Sequence, residues 1–312
     1  MKRQRHFILL FIAIGLIFSL TTLTKAQKTT DVLHQYSAIS SLPMEQRQKF
    51  FRDLSNEDKA GIFRFHLAFQ LTKRPLLSKQ QKELIVEIIP NLTPESYDRT
   101  NPELTAKTHQ AAQLLEQKAM TLFSRQEGSE IFATLGGSEQ DVITLKQYES
   151  LEAYSLSDRK AIFRKASAEG KATLWKIHLT YFLALETGFT DSQRSLIMEV
   201  MSTFTPEVYA ISRDTPQWKQ QDEINRGLQA KILQLFSKEK AVEIFATLGP
   251  SKNIPTINLF EGSDCSCCAS CWLSWSCPVL NNTCRTGDCT TKDRGCGFAG
   301  QYGCDGKCKF DG

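Results

Sequence analysis

Over the first 250 positions apolar residues return every three or four places, and the alternation expected of strands is scarce. Ile62, Phe65, His66 and Phe69 fall on one helix face, and Leu174, Ile177, His178 and Tyr181 fall on another. Pro102 to Arg125 sets Leu104, Ala111, Leu115, Ala119 and Leu122 on a further stripe, echoed by Ile224, Leu228, Ile232 and Leu235. Helix starts can be read between the stripes. Ser78 with Gln81, and Thr190 with Gln193, have the spacing at which a hydroxyl accepts an early backbone N–H and the glutamine reaches back. Thr93-Pro94 and Thr205-Pro206 put a capping residue before a proline, whose missing N–H does no harm at a first helical position. Gly136 and Gly249 are placed to close helices in the left-handed conformation.

These features come in pairs. At an offset of 112 residues Arg47 meets Arg159, Phe51 meets Phe163, Ser55 meets Ser167, His66 meets His178, and Thr93-Pro94-Glu95 meets Thr205-Pro206-Glu207. After a one-residue slip, Ile131 to Gly136 meets Ile244 to Gly249. The pattern predicts a mainly α protein. A helical region in two copies of about 110 residues, 27–138 and 139–251 with four or five helices each, is followed by a small disulfide-rich module. Two copies are too few for a solenoid, and the copies are expected to pack together.

The N-terminus adds a compartment. Met1 to His6 is basic, Phe7 to Leu20 is apolar, and Thr24-Lys25-Ala26 precedes Gln27. This is the build of a secretory signal peptide over 1–26, with cleavage between Ala26 and Gln27; the apolar stretch falls short of the roughly twenty residues that span a bilayer. The formal net charge of +4 is carried entirely by Lys2, Arg3, Arg5 and Lys25, so the mature chain is nearly neutral. Nothing in that balance calls for nucleic acid, and little in it favours an anionic membrane.

Candidate chemistry in the helical region is thin. His66 and His178 share a repeat position, which is read either as a symmetric metal or acid-base site or as a packing histidine kept in both copies; the absence of a neighbouring cysteine, second histidine or HExxH spacing favours packing. GxSxG and Walker-type loops are absent. Gly136-Gly137 could mark a double-glycine cleavage, but a helix-closing glycine explains both it and Gly249-Pro250. The carboxylates are scattered, so no enzyme, cofactor or metal is expected.

The composition changes near residue 251. A linker over 252–264 leads to Cys265, Cys267, Cys268, Cys271, Cys277, Cys284, Cys289, Cys296, Cys304 and Cys308, the whole cysteine complement of the chain. So few aliphatic residues accompany them that no ordinary core can form, and an even cysteine count behind an export signal predicts complete pairing. Ten cysteines allow roughly 945 connectivities, nine times the 105 open to eight. Cys268 with Cys271, and Cys304 with Cys308, have spacings that zinc could use, but ten thiolates without a histidine would leave two over. Asp305-Gly306 is a turn dipeptide, which predicts a hairpin over Tyr302 to Phe310. Trp272, Leu273 and Trp275 are candidate membrane or target contacts; the alternative is that they shield the disulfides.

Asp264-Cys265-Ser266-Cys267, Cys277-Pro278-Val279-Leu280, Thr286-Gly287-Asp288-Cys289, Gly295-Cys296-Gly297 and Cys304-Asp305-Gly306-Lys307-Cys308 together resemble the bacteriocin fulvocin C-related proteins. The resemblance covers residues 265–312, about a sixth of the chain. The small bacteriocin of that family has fewer cysteines, and the additions here fall near Cys268 and Cys271. The resemblance implies a secreted protein or precursor, extracellular, periplasmic or at the cell surface, whose tail acts on other bacteria. Its partners would be an envelope component or membrane of the target cell and a processing protease. The alternative is a non-toxic surface protein that uses the tail as a recognition knob. Oligomeric state and cysteine connectivity are open at this level.

Overall fold

The computed structural model describes residues 32–250, apart from 99, 101, 213 and 214, together with the backbone of four short tail segments. The expected signal segment, with Ala26 and Gln27, and the expected linker over 252–264 lie outside the described residues, as do Trp272, Leu273 and Trp275.

The described body is mainly helical. In its first half, α1 (residues 32–41) is followed by α2 (Met44–Asp53), α3 (Asn56–Lys73), α4 (Lys79–Asn91), a 3-10 turn (Pro94–Tyr97), α5 (Pro102–Leu122), α6 (Arg125–Gly128) and a π-helical turn (Ser129–Ala133). The second half holds α7 (Glu139–Ser150), α8 (Leu156–Lys165), α9 (Ala168–Leu185), α10 (Asp191–Thr203), α11 (Pro206–Ala210), α12 (Pro216–Leu235) and α13 (Lys238–Phe245). Local chemistry sets the starts. The Ser78–Gln81 and Thr190–Gln193 capping boxes both form, opening α4 and α10. Ser55 and Ser167 cap α3 and α9, each hydroxyl accepting an early backbone N–H. Pro94 and Pro206 stand at first helical positions, but the helices they open are a single turn each.

Helices α3 and α9 are buried on nearly every side and pack against each other at the centre. A helix that is apolar around its circumference must be covered around its circumference. Thr72 and Thr180 share a hydrogen bond of 2.6 Å across this contact, and one continuous apolar cluster runs through both halves. His34 Nδ1 to Glu149 at 3.0 Å, and Lys73 to Asp141, bind the halves at the periphery.

The same polar devices recur about 112 residues apart. The Arg47 guanidinium donates to the carbonyls of Ser40, Leu42, Leu135 and Gly137, and that of Arg159 donates to those of Glu152, Tyr154, Leu248 and Pro250. Gly136 and Gly249 lie beneath these guanidiniums with φ of 103° and 111°. A Cβ would lie 2.6 Å from Arg47 Nη1 at Gly136 and 2.7 Å from Arg159 Nη1 at Gly249. The left-handed backbone is as expected. Its purpose differs from a helix closure, since the preceding helices end at Ala133 and Phe245 and the glycines make room for an arginine.

In the tail, β1 (Asn282–Thr286) pairs antiparallel with β4 (Gly306–Phe310), and β2 (Lys292–Cys296) pairs antiparallel with β3 (Tyr302–Cys304). The hairpin expected over Tyr302 to Phe310 therefore does not form. Its two arms pair with earlier strands instead of with each other, and Cys284 stands opposite Cys308 in the backbone register.

Candidate functional site

The ten tail cysteines are the residues on which the sequence places most weight. Cys284, Cys296, Cys304 and Cys308 lie on the four strands; Cys265, Cys267, Cys268, Cys271, Cys277 and Cys289 lie outside the described residues. The body supplies two places to look for a site, the paired histidines and a groove.

Both histidines are fully buried. His66 Nδ1 lies 3.0 Å from the Tyr36 hydroxyl and Nε2 lies 2.9 Å from the Ile131 carbonyl. The carbonyl can only accept, so Nε2 carries the proton and Tyr36 donates to Nδ1. Tyr148 stands 2.8 Å from His178 Nδ1 in the matching place, and the Gly249 N–H also points at that nitrogen, 3.3 Å away. The second arrangement is looser. The backbone of Glu243 and Ile244 faces the His178 ring and favours its charged form, yet Nε2 lacks a well-aligned partner. Burial pushes His66 down to about 4 and His178 down to about 3, which keeps both rings neutral. Neither ring opens to solvent or a substrate, so these are packing histidines with a hydrogen-bonding duty. The tyrosine partners were not picked out from the sequence. Their own spacing, Tyr36 to Tyr148, was the available signal.

The groove lies in the first half, between the end of α4, the 3-10 turn and α5, and is closed at one end by α6 and the π-helical turn. Its volume is about 1030 Å³, and Ile88, Leu92, Leu115, Ala119, Phe123 and Phe132 form much of its wall. Arg125 and Glu116 are its charged residues; both are exposed, and neither forms an ion pair among the described residues.

The second half shows what the same framework looks like when filled. The C-terminal ends of α5 and α12 are pinned alike. Gln81 donates to the Leu122 carbonyl at 2.9 Å and Gln193 to the Leu235 carbonyl at 2.7 Å. Lys118 pairs with Glu87 and Lys231 with Glu199, each at 2.6 Å. Bulk separates the halves. Leu92, Ser96, Ala119 and Gly128 are half-buried or exposed at the groove, whereas their counterparts Phe204, Val208, Ile232 and Ala241 are all buried. Helix α12 buries Gln221, Asn225, Leu228, Gln229 and Ile232, while no residue of α5 from 110 to 122 is buried. The predicted stripe on α12 is therefore rotated, since Ile224 and Leu235 are partly exposed and polar Gln221 and Asn225, joined at 3.0 Å, share the inner face with Leu228 and Ile232.

Among the described residues no group of three or more His, Cys, Asp and Glu is placed to hold a metal ion, and no helix is long and apolar enough to cross a membrane. The chain matches no protein-family model, no curated protein and no solved structure.

Proposed function

We propose that this chain is an exported binding protein, a duplicated helical body followed by a disulfide-stapled, bacteriocin-like tail that acts on other bacteria. The observation that carries the body's part is the groove: it is open in the first half and occupied by the chain's own side chains at the equivalent positions of the second. An apolar face left open to water forgoes the burial that the second half achieves at the same positions, which favours a ligand that covers it. The body would then be a carrier or recognition unit rather than an inert pro-region.

The tail's part rests on its cysteine spacing and its resemblance to the fulvocin C-related proteins. The register that sets Cys284 opposite Cys308 supports one specific pairing, since facing antiparallel residues lie within the Cα separation that a disulfide spans. A target-cell envelope component or membrane, and a processing protease, are the partners proposed for it.

Mass spectrometry of the culture medium tests export and release together. The reading expects a mature chain beginning at Gln27, an accumulating fragment that begins within 251–264, and a Cys284–Cys308 linkage in the unreduced peptide map. The oxidised tail should kill related bacteria and lose that activity on reduction. If only the full-length mature chain is found and the tail does not kill, the released-effector reading fails in favour of a retained recognition knob. The groove is tested with the neutral fluorophore N-phenyl-1-naphthylamine, which should bind the intact chain saturably at one site. The variant Leu92→Phe/Ser96→Val/Ala119→Ile/Gly128→Ala, which installs the second half's residues at all four positions, should abolish that binding.

A further inference from the structure

We infer that the groove of the first half takes a long-chain carboxylate, its hydrocarbon lying between α4 and α5 and its carboxylate held by Arg125. The inference rests on the groove being a binding site and specifies the chemistry of what it binds.

Three features narrow the ligand. The first is size. At about 1030 Å³ the groove lies just above the ~300–1,000 Å³ typical of small-molecule sites, which suits an extended lipid-like molecule better than a compact metabolite. The second is the wall. Ile88, Leu92, Leu115, Ala119 and Phe132 offer apolar contact without an array of convergent donors and acceptors, so the body of the ligand is hydrocarbon. The few hydroxyls nearby are already engaged. Ser96 bonds to the Asn91 carbonyl and faces Thr93, and Ser124 caps α6.

The third is charge. Arg125, at the α6 end, is the only cation lining the groove and has no acidic partner among the described residues. A planar guanidinium presents two parallel N–H donors that match a carboxylate. A single guanidinium also neutralises a single negative charge. A phosphomonoester would keep a second charge unmatched, and Glu116 on the α5 wall would oppose two negative charges more strongly than the one of a carboxylate. A free monomeric acid is favoured over a lipid within an anionic bilayer, because the chain beyond Ala26 has no excess positive charge to draw it to such a surface. Lys238 keeps a cation at the position equivalent to Arg125, but there the space is occupied by Phe204, Val208 and Ile232, so only the first half has both the cation and the room.

The test is displacement of N-phenyl-1-naphthylamine from the intact chain by palmitate, with methyl palmitate as the uncharged control. Palmitate should displace the fluorophore, and methyl palmitate should do so roughly tenfold less well, as loss of one charge-assisted contact predicts. Arg125→Ala should weaken palmitate by a similar factor and so remove most of the difference between acid and ester, and added salt should act in the same direction. Leu92→Phe/Ser96→Val/Ala119→Ile/Gly128→Ala should bind neither; if it does not fold, Ser96→Phe blocks the groove from an exposed position. Fluorophore binding that palmitate cannot displace overturns this inference and leaves the groove reading standing. Equal binding of acid and ester, or no effect of Arg125→Ala, overturns the carboxylate assignment. Undiminished palmitate binding by the blocked variant places the site elsewhere. Absence of fluorophore binding by the intact chain removes both this inference and the groove reading beneath it.

Discussion

Tyr36 and His66 show how a polar pair survives in a core. Each satisfies the other, and the Ile131 carbonyl accepts the remaining proton. Tyr36→Phe removes the donor to a buried nitrogen and should cost about 1–3 kcal/mol in a denaturant melt. The depressed histidines also couple folding to pH. Their folded-state values of about 4 and 3 lie below the usual 6.5, so the unfolded chain takes up protons that the native core refuses. Stability is full above pH 6.5 and declines as pH falls toward 4. Between pH 7 and pH 5 the loss should be roughly 2 kcal/mol for each histidine, read from urea midpoints at the two pH values. His66→Gln should roughly halve that dependence, leaving the share of His178. Gly136 makes a third residue-scale prediction. Gly136→Ala meets both a positive φ and the Arg47 guanidinium, so it should destabilise by about 1–3 kcal/mol, and Arg47→Ala should not restore the full loss because the backbone strain remains.

At the scale of elements, capping chemistry was the most legible feature of the sequence. The Ser78–Gln81 and Thr190–Gln193 boxes need only residues three apart, and both formed. Burial faces were legible where a helix is covered all round, as in α3 and α9, and misread where it is not. On α12 the inner face includes Gln221 and Asn225, which a hydrophobic stripe cannot reveal because each is satisfied by its neighbour. The groove had its own faint signal in the small residues Ser96, Ala119 and Gly128 set against Val208, Ile232 and Ala241. Substitution alone does not tell whether a backbone closes over the smaller side chains; only the exposure of α5 shows that it does not. Ala119→Ile and Gly128→Ala should therefore raise the melting temperature, each added buried methylene being worth up to about 0.8 kcal/mol. A fall would mean that α5 already lies tight against its neighbours.

For the whole molecule, the two halves share a core but differ in how far they close. The second buries Phe204, Val208, Ile232 and Ala241, whereas the first leaves the equivalent face open. The tail's pairing escapes sequence reasoning for a physical reason: turn dipeptides report local chain reversal, while strand partners are chosen by contacts far along the chain. The arms flanking Asp305-Gly306 pair with β1 and β2 accordingly. Hydrogen exchange on the intact chain, with and without palmitate, tests most directly the claim that one half is built open to hold a ligand. The account predicts that amides of α5 from 110 to 122 exchange at least about tenfold faster than those of α12 from 223 to 235, since local opening is easier where few apolar contacts hold an element. Palmitate should slow α5 and leave α12 unchanged. Equal protection of the two helices in the free chain, or palmitate protection of both or of neither, would contradict it.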